Sequence, residues 1–109
     1  MNLWVIISEA IATEEEIGVH RDAHLQRQVE LEKAGILFAA GPLFNEDGNR
    51  AGAGMIVIRA ESAEAARQIA EKDPMHANGV RSFRMYQWKV HEGRINISLD
   101  ISDESGHVA

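Results

Sequence analysis

Five residues near the start of the chain, Leu3-Trp4-Val5-Ile6-Ile7, are apolar at every position. A strand with one face in water would alternate, so this run predicts a central strand covered on both sides. Residues 36–40 have the same unbroken apolar character and predict a second buried strand, closed by Gly41-Pro42. Residues 55–58 predict a third. Between those two, Asn45-Glu46-Asp47-Gly48-Asn49 contains an Asp-Gly pair, a strong hairpin signal when apolar runs flank it. Residues 81–90 predict a fourth strand.

The intervening segments have helical character. Thr13 followed by Glu16 fits a capping box, and the acids at 14–16 suit a helix N-terminus. The helix extends to about Ala34, with Gly35 as its stop; Gly18 weakens the first turn, so the regular part is expected from about His20. Ser62 caps a second helix over 63–72, which Asp73-Pro74 ends. The order β-α-β-β-α-β predicts an α+β, ferredoxin-like protomer: an antiparallel sheet with both helices on one face. Apolar residues remain on the other face, and sheet-to-sheet dimerisation would cover them.

Beyond the fourth strand, Ile95, Ile97, Leu99 and Ile101 alternate with Asn96, Ser98 and Asp100. This period of two predicts an extra C-terminal strand, paired with a sheet edge or reaching across a dimer. The chain therefore divides into a domain over 1–92 and a strand with a polar, loose tail over 93–109.

Composition narrows the function. A chain of 109 residues suits one domain. The absence of cysteine excludes disulfides, zinc-thiolate sites and thiol catalysis. Eleven basic against seventeen acidic residues give a net charge of −6, which argues against a nucleic-acid or anionic-membrane partner. No apolar run reaches the ~18 residues of a membrane span. The first residues lack the basic start and cleavage site of a signal peptide, so a cytoplasmic location is expected.

Candidate chemistry centres on His24. Ile17, His24 and Leu31 are seven apart and share a helix face, so His24 replaces an apolar residue in the expected buried stripe. The plainer reading is a core histidine bonded to a carbonyl. The functional reading gives it a carboxylate partner, and Asp73 is the candidate, because the second helix lies beside the first in this fold. An acid at a helix C-terminus opposes the helix dipole, and a partner of positive character would offset that. His20 and His24 also form an i, i+4 pair, extended by Glu16 if the helix is unbroken. A metal site would need further ligands, with His76 or Asp73 as candidates. Gly48, Gly52 and Gly54 match no phosphate loop, since no helix follows. Arg81 is placed to hold an anionic or phenolic ligand, although surface solvation is the simpler role for it. Tyr86 and Trp88 share a strand face and suit a core or dimer interface.

Three fragments, R-x-A-H-L at 21–25, A-G-I-L-F-A-A-G-P at 34–42 and E-A-A…D-P-M-H-x-x-G-V at 64–80, together resemble the YCII-related domain family. The resemblance implies a dimeric α+β barrel of ferredoxin-like protomers, with His24 and Asp73 as the active-site pair. Family members of known activity include a dehydrochlorinase acting on a chlorinated hydroxyquinol.

The expected function is that of a small enzyme, with no cofactor and no metal, that moves protons on a small polar or aromatic-derived molecule by elimination or isomerisation. His24 would be base and then acid, and Asp73 its orienting partner. His76, Arg81, Gly41 and Pro42 are the expected substrate-binding residues. A non-catalytic ligand-binding or accessory dimer, and a metal-dependent oxygenase-like protein, are the competing readings.

Overall fold

The computed structural model describes residues 2–102; the polar tail over 103–109 lies outside them. The elements are β1 (Asn2–Ala10), α1 (Glu14–Val19), α2 (Arg21–Lys33), β2 (Leu37–Phe44), β3 (Arg50–Ile58), α3 (Ala63–Glu71), α4 (Pro74–Ala77) and β4 (Arg81–Lys89). The four strands form one antiparallel sheet in the order β2-β3-β1-β4. This is the expected α+β, βαββαβ plan with β1 at the centre.

Register decides which side chains share a face. Ile6 lies opposite Ile56 on β3 and Met85 on β4, and Trp4 lies opposite Ile58. These residues form the core together with Ala66 and Ala70 of α3. Ile6 and Ile58 are 1% and 0% exposed, and burying such a side chain stabilises the fold by about 1.5–3 kcal/mol. The chain tightens around this core at its ends. Ser62 Oγ caps α3 by accepting from Ala65 N, and Thr13 Oγ1 caps α1 by accepting from Glu16 N. The Trp4 indole N–H donates to Ala60 O and ties β1 to the loop before α3.

Several boundaries differ from expectation. The first helix is two helices. His20 ends α1 and precedes α2, with its φ at −103° and ψ at 3°, so Glu16, His20 and His24 do not form a row on one helix. β2 does not stop at Gly41-Pro42 but continues to Phe44. It is an edge strand, where a residue without an N–H is tolerated. The expected buried stripe on the long helix is only half-buried: α2 has no fully buried residue, and Leu25 and Val29 are exposed.

The opposite sheet face carries Val5, Ile7, Met55, Tyr86 and Trp88, as the register requires. Met55, Tyr86 and Trp88 are exposed by 36%, 53% and 43%. The alternating segment 95–101 takes no strand structure in this chain. Alternation supplies two faces but not a ladder. A strand needs a hydrogen-bonding neighbour, and neither edge of the chain's own sheet provides one.

Candidate active site

Asp73 joins two helices. Lys72 ends α3, and Asp73 is the N-cap of α4, with Pro74 at its first helical position. Pro at that position costs no hydrogen bond and presets the helical φ. The Asp73 carboxylate accepts from Met75 N at 2.9 Å through Oδ1. The acid therefore faces the positive end of the following turn rather than ending α3 unfavourably. α4 closes at Asn78, and Gly79 takes the positive φ of +69° that turns the chain into β4.

α2 brings His24 to this carboxylate. Its Nδ1 lies 3.0 Å from Asp73 Oδ1 and 2.8 Å from Oδ2. Gln28, one turn further along α2, donates from Nε2 to Oδ2 at 3.3 Å. The two side chains differ in environment: that of Asp73 is 4% exposed, that of His24 24%. Burial alone would raise the pKa of Asp73. The hydrogen bonds from His24 and from Met75 N outweigh it, aided by the charges of His24 and His76, and hold the carboxyl below its ordinary value. An ionised carboxylate can only accept, so the proton between the two residues belongs to His24 Nδ1. Nε2 of the neutral ring then carries the lone pair.

A second hydrogen-bonded chain lies behind this pair. His76 Nδ1 is 2.7 Å from Ala70 O, and its Nε2 is 2.7 Å from Ser8 Oγ. A carbonyl only accepts, so Nδ1 is the donor; in the neutral ring Nε2 then accepts from the Ser8 hydroxyl. Arg81 completes the chain: Nε donates to Ser8 Oγ at 2.9 Å, and Nη2 to Ser8 O at 2.7 Å and Gly52 O at 3.3 Å. Ser8 is 4% exposed and its register row contains Gly54 and Phe83. The His76 ring stacks at 4.7 Å, tilted, on Phe83. Ser8 was missed by sequence reasoning. It sits in an otherwise apolar strand on the helix-facing side, and that position is its only signal.

His24, Asp73 and His76 thus gather where α2 and α4 meet the sheet. Arg81 joins them through Ser8. Gly41 and Pro42 stand apart in β2, opposite Met55 and Gly54. Pro42 shares the helix-facing row with Ser8, two strands away, whereas Gly41 faces the open side. His20 meets the pair only through its backbone among the described contacts: its carbonyl accepts from His24 N at 3.0 Å. Among the described residues no three His, Asp or Glu side chains are grouped as metal ligands would be, and no helix is long and apolar enough to cross a membrane.

Asp73 and His76 line a small, partly open cavity of about 10 Å³, together with Arg27, Gln28, Ile6 and Leu31. Arg27 Nε and Gln28 Oε1 are buried without a hydrogen-bond partner among the described residues. One is a donor and the other an acceptor, so a single water or hydroxyl suits both. The space takes nothing larger. A substrate would therefore have to reach His24 from its exposed side.

The fold places the chain in the α+β class of ferredoxin-like protomers known from dimeric α+β barrels. More narrowly, it belongs to the YCII-related domain family, whose model matches residues 1–89. Among solved structures it is similar to 5-chloro-2-hydroxyhydroquinone dehydrochlorinase from Burkholderia phenoliruptrix AC1100, in complex with 2,5-dihydroxybenzoquinone. That match has a TM-score of 0.60 and 21% identity, and covers 80% of this chain and 93% of the other. It is also similar to Rv0793 from Mycobacterium tuberculosis, with a TM-score of 0.50, 13% identity and coverage of 85% and 98%. Both likenesses establish the fold. No match is found among curated proteins.

Proposed function

We propose that this protein is a small acid–base enzyme that needs no cofactor and acts, as a homodimer, on a compact polar or aromatic-derived molecule. The observation that carries the reading is the His24–Asp73 pair: a buried, ionised carboxylate on Nδ1 of a partly exposed imidazole. Asp73 fixes the ring and its tautomer, which leaves Nε2 to take a proton from an acidic C–H or O–H group. The positive charge that then develops on the ring is stabilised by Asp73. The same nitrogen returns the proton to the product or to a leaving group. Elimination and isomerisation both follow this course. The dehydrochlorinase among similar folds supports an elimination on a halogenated hydroxyquinone-like ring.

In this reading His76 and Arg81 form the wall behind the pair. Their hydrogen bonds to Ser8, Ala70 and Gly52 hold α4, and with it Asp73, against the sheet. Arg81 would act on a bound oxyanion through its charge, with His76 as its neighbour across Ser8. Gly41 and Pro42 would complete the substrate boundary from β2. The test is turnover of a panel of chlorinated and unchlorinated hydroxyquinols, followed by chloride release and absorbance. Loss of at least about 100-fold in kcat/KM on His24→Ala, with the fold intact, supports the reading; no turnover of any panel member by the wild type counts against it.

One observation favours the alternative, a non-catalytic ligand-binding or accessory dimer: the space beside Asp73 is only about 10 Å³. In that case His24 and Asp73 serve as a clamp between α2 and α4. Added small phenols and acids would then leave the His24 ring resonances unmoved.

A further inference from the structure

α2 meets the junction of α3 and α4 with three polar side chains. His24 and Gln28 donate to the Asp73 carboxylate, and Arg27 donates from Nη2 to Ile69 O at 3.1 Å. Ile69 lies in the last turn of α3, where the carbonyls carry the negative end of the helix dipole, so a guanidinium is favoured there. Among the described residues Arg27 is paired with no acid.

Two atoms of this row lack a protein partner among the described residues: Arg27 Nε and Gln28 Oε1, both buried. Buried polar groups rarely stay unpaired, because each then keeps the full cost of leaving water. Both residues line the space of about 10 Å³ beside Asp73 and His76, which is about the volume that one water needs. Charge and hydrogen bonding select the occupant. The Arg27 guanidinium repels a cation, and the ionised Asp73 repels an anion. Nε only donates and Oε1 only accepts, so the occupant must do both. His76 offers it no bond, since Ala70 O and Ser8 Oγ occupy both ring nitrogens. The direction of the Gln28 amide is fixed as well. With its ends exchanged, Oε1 would face the Asp73 carboxylate and the amide N–H groups would face the Arg27 donor.

We infer that Arg27 and Gln28 hold one resident water and form with it a one-way hydrogen-bonded chain that ends on Asp73. Arg27 Nε donates to the water, the water donates to Gln28 Oε1, and Gln28 Nε2 donates to Asp73 Oδ2. Every donor points toward the carboxylate, so successive links polarise one another. The positive character of an arginine that makes no ion pair thereby reaches Asp73. Arg27 and Gln28 are positioning residues: they compete with His24 for the carboxylate and set how strongly it draws on the imidazole N–H. That role rests on the acid–base reading of His24 and Asp73, whereas the water and the chain do not.

The test compares the full-length protein with Arg27→Met, Gln28→Met and the double variant. Rotating-frame spectra, which separate dipolar contact from proton exchange, should show a long-lived water beside Arg27 Hε in the wild type and none in Gln28→Met. The Nδ1 nitrogen of His24 should move downfield in each single variant, as Asp73 turns more fully to the imidazole. Arg27→Met should add nothing once Gln28 is gone, because members of one network are not additive. Near-UV circular dichroism checks the fold of each variant. If Gln28→Met does not fold, the wild-type water contact and the Arg27→Met shift decide. An absent water contact overturns the chain, and so does a His24 nitrogen that moves in neither single variant. An Arg27→Met shift of equal size with and without Gln28 also overturns it, since that marks a charge acting through space. Turnover assays keep the two readings apart. The chain in a protein without turnover removes the acid–base role and leaves the chain standing, and turnover without the water contact does the reverse.

Discussion

His24 Nδ1 lies 2.8 Å from Oδ2 of Asp73, although 49 residues separate the two in sequence. The contact depends on three independent features. α2 presents the imidazole, Pro74 starts a new helical turn that turns the carboxylate toward it, and Gln28 holds the second carboxylate oxygen. Each feature can be removed separately.

Removing the carboxylate should cost more than a surface acid would. Asp73→Ala deletes the cap of α4 and leaves His24 Nδ1, Gln28 Nε2 and Met75 N without their acceptor. A loss of about 2–4 kcal/mol in urea unfolding is expected. Asp73→Asn keeps a good N-cap residue and should cost about 1 kcal/mol. Similar losses for both variants would contradict the capping role.

The lowered pKa of Asp73 gives a pH dependence of defined sign. Its folded-state value lies below the ordinary 3.8, so the unfolded chain binds the proton more readily. The stabilisation is present in full above the unfolded value. It is lost as pH falls from there through the lowered folded value. Acid unfolding curves of the wild type and Asp73→Asn should converge across that window and differ above it. A constant difference at every pH would show that the carboxylate contributes no linked stability.

Ser8→Ala should release both His76 and Arg81. The hydroxyl donates to His76 Nε2 and accepts from Arg81 Nε in a nearly closed environment. Its loss should destabilise the fold by about 1–2 kcal/mol and shift the His76 ring resonances while leaving the Nδ1 bond to Ala70 in place. If the His76 resonances do not move, the network does not exist in solution.

Ile58→Ala tests the core beneath the site. Ile58 is fully buried among Ile6, Ile56, Ala66 and Ala70, so about 2–5 kcal/mol should be lost in chemical denaturation. A smaller loss would mean that the helix layer closes over the gap.

Much of this was legible in the residue pattern, for identifiable reasons. The apolar run 3–7 has the length and β-branched content of a strand, and Asp47-Gly48 between apolar runs is a turn signal, so sheet and hairpin followed directly. The approach of His24 to Asp73 followed from the topology, which sets the two helices side by side. Other features depend on tertiary detail. Pro74 can end one helix or start the next, and only the geometry of Lys72 and Asp73 shows that it does the latter. The helix break at His20 exceeds what Gly18 alone announced. Ser8 looks like a minor interruption of a strand until β4 and α4 bring Arg81 and His76 to it. The alternation over 95–101 identified a strand-forming segment, but a strand's existence depends on a neighbour that local sequence does not contain.

The most direct measurement is a long-range ¹H–¹⁵N correlation spectrum of the imidazole nitrogens, recorded for the wild type and for Asp73→Asn. The neutral His24 ring should carry its proton on Nδ1 and its lone pair on Nε2, and that preference should weaken once the carboxylate is gone. A wild-type ring protonated on Nε2, or a tautomer indifferent to Asp73, would remove the base on which the proposed chemistry rests.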